Sequence, residues 1–238
     1  MSDSLERIVP AELEADAATG RETLRLHLER YRFAAQHLLP GRVLDLACGV
    51  GYGSVVLAGA AGVRQVVGGD RSREALWTAR TSYRHPRVAH VLGDGAAWAR
   101  EAGFDGIVSL ETLEHVDVPA GFFRDLVRRL RPGGVLVASV PTTPSVDANP
   151  HHRTDFTERS FLALGRGQGL AVVDQLRQVQ HYSPAAVLLR RERRTRDLRQ
   201  GLAGYYLRHP GAAFRRAGAL LRYGFSNRYL TVAWRLPG

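Results

Sequence analysis

Lysine is absent from this chain of 238 residues, so all 33 of its basic residues are arginine. That excludes a Schiff-base or pyridoxal enzyme, which needs a lysine amine, and any phosphate loop built on lysine. A single cysteine, Cys48, leaves no internal disulfide and no cysteine-built zinc cage, which suits a reducing compartment. The first twenty residues carry acids and no apolar core segment, so no secretory leader is expected. The longest uncharged run, Leu46 to Val63, is interrupted by five glycines and reads as strand, loop and helix, not as a membrane span. A cytoplasmic location is expected.

What is present is an ordinary globular composition, 45% hydrophobic and 24% charged. The length suits one α/β domain with an elaboration. The net charge of +10 is local: residues 184–238 hold 12 arginines against Glu192 and Asp197, while residues 1–183 balance 21 arginines with 21 acids. The basicity therefore belongs to one segment and not to the fold.

Helical spacing of Leu24, Leu28, Tyr31, Ala35 and Leu38 predicts a helix over Glu22–Leu39, stopped by Pro40-Gly41. Strand-length apolar runs follow at Arg42–Ala47, Gln65–Gly69, Val88–Leu92, Phe104–Leu110 and Val135–Val140. Stretches of helical composition separate them at Gly53–Ala61, Ser72–Tyr83, Gly95–Glu101 and Ala120–Leu130. The pattern predicts a Rossmann-like, doubly wound α/β fold: a mostly parallel seven-stranded sheet with helices on both faces. After a proline-rich loop over 141–156, Thr157–Gly167 reads as a helix capped by Thr157, Leu170–Val179 as a strand, and Tyr229–Leu236 as the strand that closes the sheet. The expected layout is a single domain over 1–238. It comprises an acidic segment (1–20), a first helix (21–40), a core (41–182), a basic helical insertion before the last strand (183–226) and the final strand (227–238).

The most informative stretch is VLDLACGVGYGS, Val43 to Ser54, whose glycines fall where the first strand turns into a helix. Open α/β sheets bind nucleotides at such turns. Asp45 lies four residues before Gly49, and a carboxylate there would repel a pyrophosphate. A ligand with a cationic group would gain from it, and S-adenosylmethionine has an ammonium, a sulfonium and no phosphate. Asp70 ends the second strand, nineteen residues after Gly51, where a carboxylate can accept both ribose hydroxyls. Asp94 in LGDG follows the third strand, placed to accept from an adenine amine, with Gly95 admitting the ring.

With these residues the chain resembles the class I S-adenosylmethionine-dependent methyltransferases. LDLACGVGYGS, VVGGDRS and GDG match the family's first three motifs, and FDGIVSLETLEHV and LRPGGVLVASVP match its fourth-strand and fifth-strand motifs. The resemblance implies a cofactor site of Asp45, Ala47, Cys48, Gly49, Gly51, Tyr52, Asp70, Arg71, Asp94, Gly95, Leu110 and Tyr31. The DPPY loop of many enzymes that methylate nucleic-acid amines is absent, and LETLEH stands in its place. ERIVP, LERYRFA and NPHHRTDFT resemble methyltransferases of glycan or natural-product assembly, which implies O-methylation of a sugar or natural-product hydroxyl by in-line displacement.

An alcohol is a poor nucleophile while protonated, so a base helps. The candidates are His115 and Glu111 after the fourth strand and His151 and His152 after the fifth, with His115 favoured because imidazole titrates near neutrality. A metal held by His151, His152 and Asp155 is a minority alternative, and no metal is expected. Cys48 reads as a small buried thiol under the cofactor, and Tyr31 and Arg32 either close over the cofactor or pack on the sheet.

The insertion reads as two basic amphipathic helices, the second with Ala213, Phe214, Ala217, Leu220 and Leu221 on its apolar face. It would lid the acceptor site, contact a membrane surface or anionic ligand through 184–224, or, least expected, bind nucleic acid. The expected partner is a small-molecule acceptor, a sugar, glycan or natural product, with a homodimer left open. Two rival functions are a nicotinamide-dependent oxidoreductase, disfavoured by Asp45, and a non-catalytic S-adenosylmethionine-binding scaffold.

Overall fold

In the computed structural model, which describes residues 9–10, 18–93, 103–185 and 199–238, the chain enters through α1 (Ala18–His37). It then alternates through β1 (Gly41–Leu46), α2 (Tyr52–Ala58), β2 (Val63–Asp70), α3 (Arg73–Ser82), β3 (Val88–Leu92), β4 (Phe104–Leu110), α4 (Pro119–Val127), β5 (Leu130–Pro141), α5 (Glu158–Gly167) and β6 (Ala171–His181). Helices α6 (Leu202–Arg208) and α7 (Pro210–Tyr223) precede β7 (Ser226–Arg235).

The strands lie in the order β3-β2-β1-β4-β5-β7-β6. Every pair among β1 to β5 is parallel, and β7 runs antiparallel to both β5 and β6. The sheet is therefore mixed, and its one reversed strand is the one that follows the insertion. Because β1 is flanked by β2 on one side and β4 on the other, the connections after β1 and β4 leave in opposite directions. That divergence opens a crevice at their carboxyl ends.

Alternation along the central strands divides the core into two layers. Val135 and Val137 of β5 join Val43, Val66 and Val108 under α1 and α2, where Leu24, Tyr31, Ala34, Leu38 and Leu57 complete the cluster. Leu136, Ala138 and Val140 face the other way with Leu44, Ile107 and Leu230, against Phe123 and Leu126 of α4 and Phe161 of α5. Trp234 of β7 is fully buried there, edge-on to Phe123 and Phe161.

Thr157 caps α5 as its sequence implies: its hydroxyl accepts from the Ser160 N–H at 3.1 Å, and the Ser160 hydroxyl accepts from the Thr157 N–H at 2.9 Å. The helix expected over Gly95–Glu101 lies outside the described residues. The first basic helix expected of the insertion, 184–199, lies almost wholly outside the described residues; the second is α7, but the apolar face expected of it is not the one that packs. Ala212 and Ala219 are buried, whereas Phe214 is 78% exposed and Leu221 91% exposed.

Candidate active site

Both walls of the crevice begin with a strained residue. Ala47, just past β1, has φ +64°, and Glu111, just past β4, has φ +49°. Left-handed backbone at residues other than glycine is uncommon and concentrates where a site over-determines the chain. Between the walls lies a cleft of about 700 Å³, within the range of small-molecule and cofactor sites.

One end of the cleft is the glycine loop. Ala47, Cys48, Gly49 and Tyr52 line it with Asp70, Arg71, Leu110 and Tyr31. Asp70 holds the loop in place, its two carboxylate oxygens accepting from the Gly49 N–H and the Ser72 N–H, each at 2.8 Å. Gly51 has φ +89°, and a Cβ there would stand 2.6 Å from Cβ of Ala79, so glycine is required on two counts. It shapes the loop without lining the cleft.

Asp45, at the end of β1, does not line the cleft either. It is buried behind the wall instead of lining it, accepting from the Ser54 hydroxyl at 2.6 Å and the Tyr31 hydroxyl at 3.3 Å. Burial raises its pKa to about 7, Ser54 and Tyr31 oppose that shift, and Asp70 adds to it. Asp45 therefore acts on the cleft from behind its wall and not as a contact. Burial also pushes the Cys48 thiol well above its ordinary range, which leaves it a packing group. Tyr31, His27 and Tyr52 form an edge-to-face trio over the loop, with centroids 5.3 to 5.8 Å apart. Asp94 and Gly95, the expected adenine contacts, lie outside the described residues.

The other end is built by the connections after β4 and β5. A 3-10 turn, Leu113–His115, carries Glu114 and His115. Its Glu114 carbonyl accepts from the Arg153 N–H at 2.7 Å, which fastens the post-β5 loop beneath it. Of the four catalytic candidates Glu111, His115 and His152 line the cleft, and the ring of His151 does not. Neighbouring loop side chains diverge, so His151 contributes its carbonyl instead, 3.3 Å from Nδ1 of His115. That bond assigns the His115 proton to Nδ1 and makes Nε2 the basic nitrogen.

The His115 and His152 rings meet edge to face at 4.8 Å. His152 Nδ1 lies 2.6 Å from the Ser145 hydroxyl, and burial with its two histidine neighbours lowers its pKa to about 3. Asp155 does not join the histidines. It accepts from the Ser145 and Val146 N–H groups at 2.7 and 3.0 Å and is committed to the loop.

Sequence reasoning missed two arginines. Arg32 is exposed, whereas Arg30 is buried and lines the cleft. It donates to Gln178 at 2.8 Å, stacks on Tyr229 at 4.1 Å and stands 3.7 Å from Glu111. Arg30 lies one helical turn from His27 and Ala34, which the burial stripe of α1 would have flagged. Arg216 of α7 reaches back to Asp147 in the post-β5 loop, donating at 2.8 Å to Oδ2 and also to Oδ1, while Tyr206 of α6 donates to the same carboxylate. These contacts bring Leu202, Tyr206, Leu220 and Phe225 to the rim of the cleft.

The glycine loop, the acid at the end of β2 and the crevice at the β1/β4 switch coincide with one further finding: the description "methyltransferase domain" matches residues 19–187. The chain belongs to the methyltransferase-domain family. The chain is 33% identical over 148 residues to a probable S-adenosylmethionine-dependent methyltransferase of Mycolicibacterium smegmatis, a match covering 59% of this chain and 56% of that one. It is 36% identical over 123 residues to trans-aconitate 2-methyltransferase of Acidovorax ebreus, covering 49% of this chain and 47% of the relative. The chain thus spans about half the length of the curated relatives it matches. Among solved structures, the N-methyltransferase NodS of Bradyrhizobium japonicum in complex with S-adenosylhomocysteine superposes with a TM-score of 0.61 at 15% identity, covering 93% of this chain and 89% of that one. The [4+2]-cyclase SpnF superposes with 0.60 at 21%, covering 88% and 81%. At these identities the likeness is one of fold. Family membership sets aside the nicotinamide oxidoreductase alternative.

The residues of this methyltransferase domain suit S-adenosylmethionine, which is named for the first of these relatives. Backbone of the glycine loop and the Asp70 carboxylate border the cleft, Tyr31 and Leu110 supply apolar surface, and the Asp45 charge behind the wall favours a cation. No helix among the described residues is long and apolar enough to cross a membrane.

Proposed function

We propose that this domain transfers a methyl group from S-adenosylmethionine to a hydroxyl of a small-molecule acceptor, a sugar or natural product. One observation carries the reading: His115, with its basic nitrogen set by the His151 carbonyl, opens onto the same cleft as the glycine loop. When bound, S-adenosylmethionine supplies a methyl group activated by a positively charged sulfur.

The chain's own residues then have separable tasks. The glycine loop and Asp70 hold the cofactor end, and His115 Nε2 takes the proton of the acceptor hydroxyl. Glu111 stays fixed beside it, since the Ser139 hydroxyl donates to its carboxylate at 2.7 Å while accepting from its N–H at 3.0 Å. Gln180, Asn227, Tyr182 and Tyr229 give the acceptor end a hydroxyl-and-amide lining suited to a polyhydroxylated molecule. The α6–α7 pair covers that end and excludes water, which favours alignment of the reacting groups over hydrolysis.

The outer face of the same pair suits a second partner, an anionic membrane surface. Leu207, Phe214 and Leu221 are largely exposed, Arg208, Arg215 and Arg222 are exposed with them, and residues 199–226 contain no acid. Basic helices with exposed apolar side chains have the chemistry of interfacial binding.

The test of the transfer reaction is incubation with labelled S-adenosylmethionine and panels of hydroxyl, carboxylate and amine acceptors. O-methylated sugar or polyketide products that fall by about 10²-fold or more in His115→Ala are expected. Labelling of carboxylates or amines alone would overturn the acceptor class.

A further inference from the structure

Among the cleft carboxylates, Asp70 and Glu111 accept hydrogen bonds, and Glu114 does not. Its side chain is fully buried, yet neither carboxylate oxygen has a hydrogen-bond partner among the described residues. An orphaned buried carboxylate is costly, and natural sites keep one only where something else satisfies it. Oε1 stands 4.0 Å from His115 Nε2, and one ligand atom from each of Glu114, His115 and His152 falls within 4.8 Å of the others.

We propose that Glu114, His115 and His152 form a binding site for a divalent transition-metal ion on the acceptor side of the cleft. Two imidazoles and one carboxylate suit zinc, iron, cobalt or nickel better than magnesium, which prefers oxygen ligands. Metal–ligand bonds of about 2.0–2.2 Å draw the three groups inward by roughly an ångström from where they stand. The surrounding bonds already orient both rings as metal sites do: the Ser145 hydroxyl holds His152 at Nδ1 and the His151 carbonyl holds His115 at Nδ1, so each presents Nε2. The role of the ion rests on the methyl-transfer reading: an acceptor hydroxyl bound to it becomes more acidic, and His115 then serves as ligand where in the metal-free protein it serves as base. Binding of the ion does not depend on that reading.

The test is titration of chelator-treated protein with Zn2+ and with Co2+, followed by calorimetry and by the visible absorption of bound cobalt, alongside titration with S-adenosylhomocysteine. One equivalent per chain is expected, weakened about 100-fold or more in Glu114→Gln and His152→Ala and about 10-fold to 100-fold in Ser145→Ala. Glu114→Gln keeps the side chain's shape and guards against a folding defect. No binding by the intact protein, or binding unchanged in Glu114→Gln and His152→Ala, overturns the site. If S-adenosylhomocysteine binds while the metals do not, the metal site alone falls. If the metals bind and S-adenosylhomocysteine does not, the methyl-transfer reading falls and the site remains.

Discussion

Arg216 on α7 and Asp147 in the loop after β5, sixty-nine positions apart, form a two-armed ion pair that pins the insertion onto the acceptor end of the cleft. Both are largely withdrawn from solvent, with side-chain exposures of 22% and 9%, so the pair is more than a screened surface contact. Replacing Arg216 by alanine leaves Asp147 with Tyr206 alone and is expected to cost about 2 kcal/mol of stability. The selective effect is on the acceptor: its KM rises while affinity for S-adenosylhomocysteine, at the far end of the cleft, stays the same. Equal losses at both ends would refute the lid.

Acid should loosen the same latch. Burial alone would raise the Asp147 pKa, but hydrogen bonds from Arg216 and Tyr206 hold it below its ordinary value. A depressed carboxyl pKa contributes stability above the unfolded value of about 3.9, and that contribution is lost as pH falls through the folded value. In hydrogen exchange, the amides of α6 and α7 are expected to lose protection below about pH 4 before those of β1 and β4 do.

Asp45 predicts a second pH dependence, nearer neutrality, at the cofactor end. With its pKa raised to about 7, the carboxyl is partly protonated at neutrality, and its anion forms as pH rises. S-adenosylmethionine carries a sulfonium that S-adenosylhomocysteine lacks. Affinity for the former should therefore rise between about pH 6 and 8, by up to about tenfold per unit, and more steeply than affinity for the latter. Calorimetric titration at several pH values checks this, and Asp45→Asn should flatten the difference.

Gly53 makes room for the aromatic trio. A Cβ there would lie 1.9 Å from the Tyr31 ring, so Gly53→Ala must displace Tyr31 from Asp45 and from the cleft wall. A loss of about 1–3 kcal/mol in thermal or denaturant unfolding is expected, together with weaker cofactor binding. An alanine variant of native stability would show that α1 is not packed as described.

Vesicle sedimentation tests the outer face of α6 and α7. Binding to anionic vesicles that falls when Phe214 and Leu221 become serine and Arg215 and Arg222 become glutamine is expected, with neutral vesicles bound far less. Absence of binding by the intact protein would remove the membrane partner.

The sequence made the sheet legible because β1, β2, β4 and β5 are short apolar runs separated by turns, and burial on both faces leaves such runs no other use. The cap of α5 was equally plain, since Thr157 and Ser160 have the spacing of a capping box. The face of α7 was not. Ala212, Arg216 and Ala219 lie three and four residues apart and form the side turned inward, and an arginine at its centre defeats a pattern built on hydrophobicity. Asp45 is legible as a carboxylate at the end of β1, but spacing along a strand cannot reveal that Ser54 and Tyr31 claim its oxygens. The Glu114, His115 and His152 cluster joins two loops thirty-seven positions apart, and only the fold brings them together.

The most direct test of the account is calorimetric titration of the intact chain and of Asp70→Ala with S-adenosylmethionine and S-adenosylhomocysteine. Asp70 ties the glycine loop to β2 through Gly49 and borders the cleft. One molecule of either ligand should bind per chain, with affinity falling by about 10-fold to 100-fold in the variant, as expected when a charged hydrogen-bonding group worth about 1.5–3 kcal/mol is removed. Failure of both ligands to bind the folded, unmodified chain would contradict the assignment of this cleft to the cofactor.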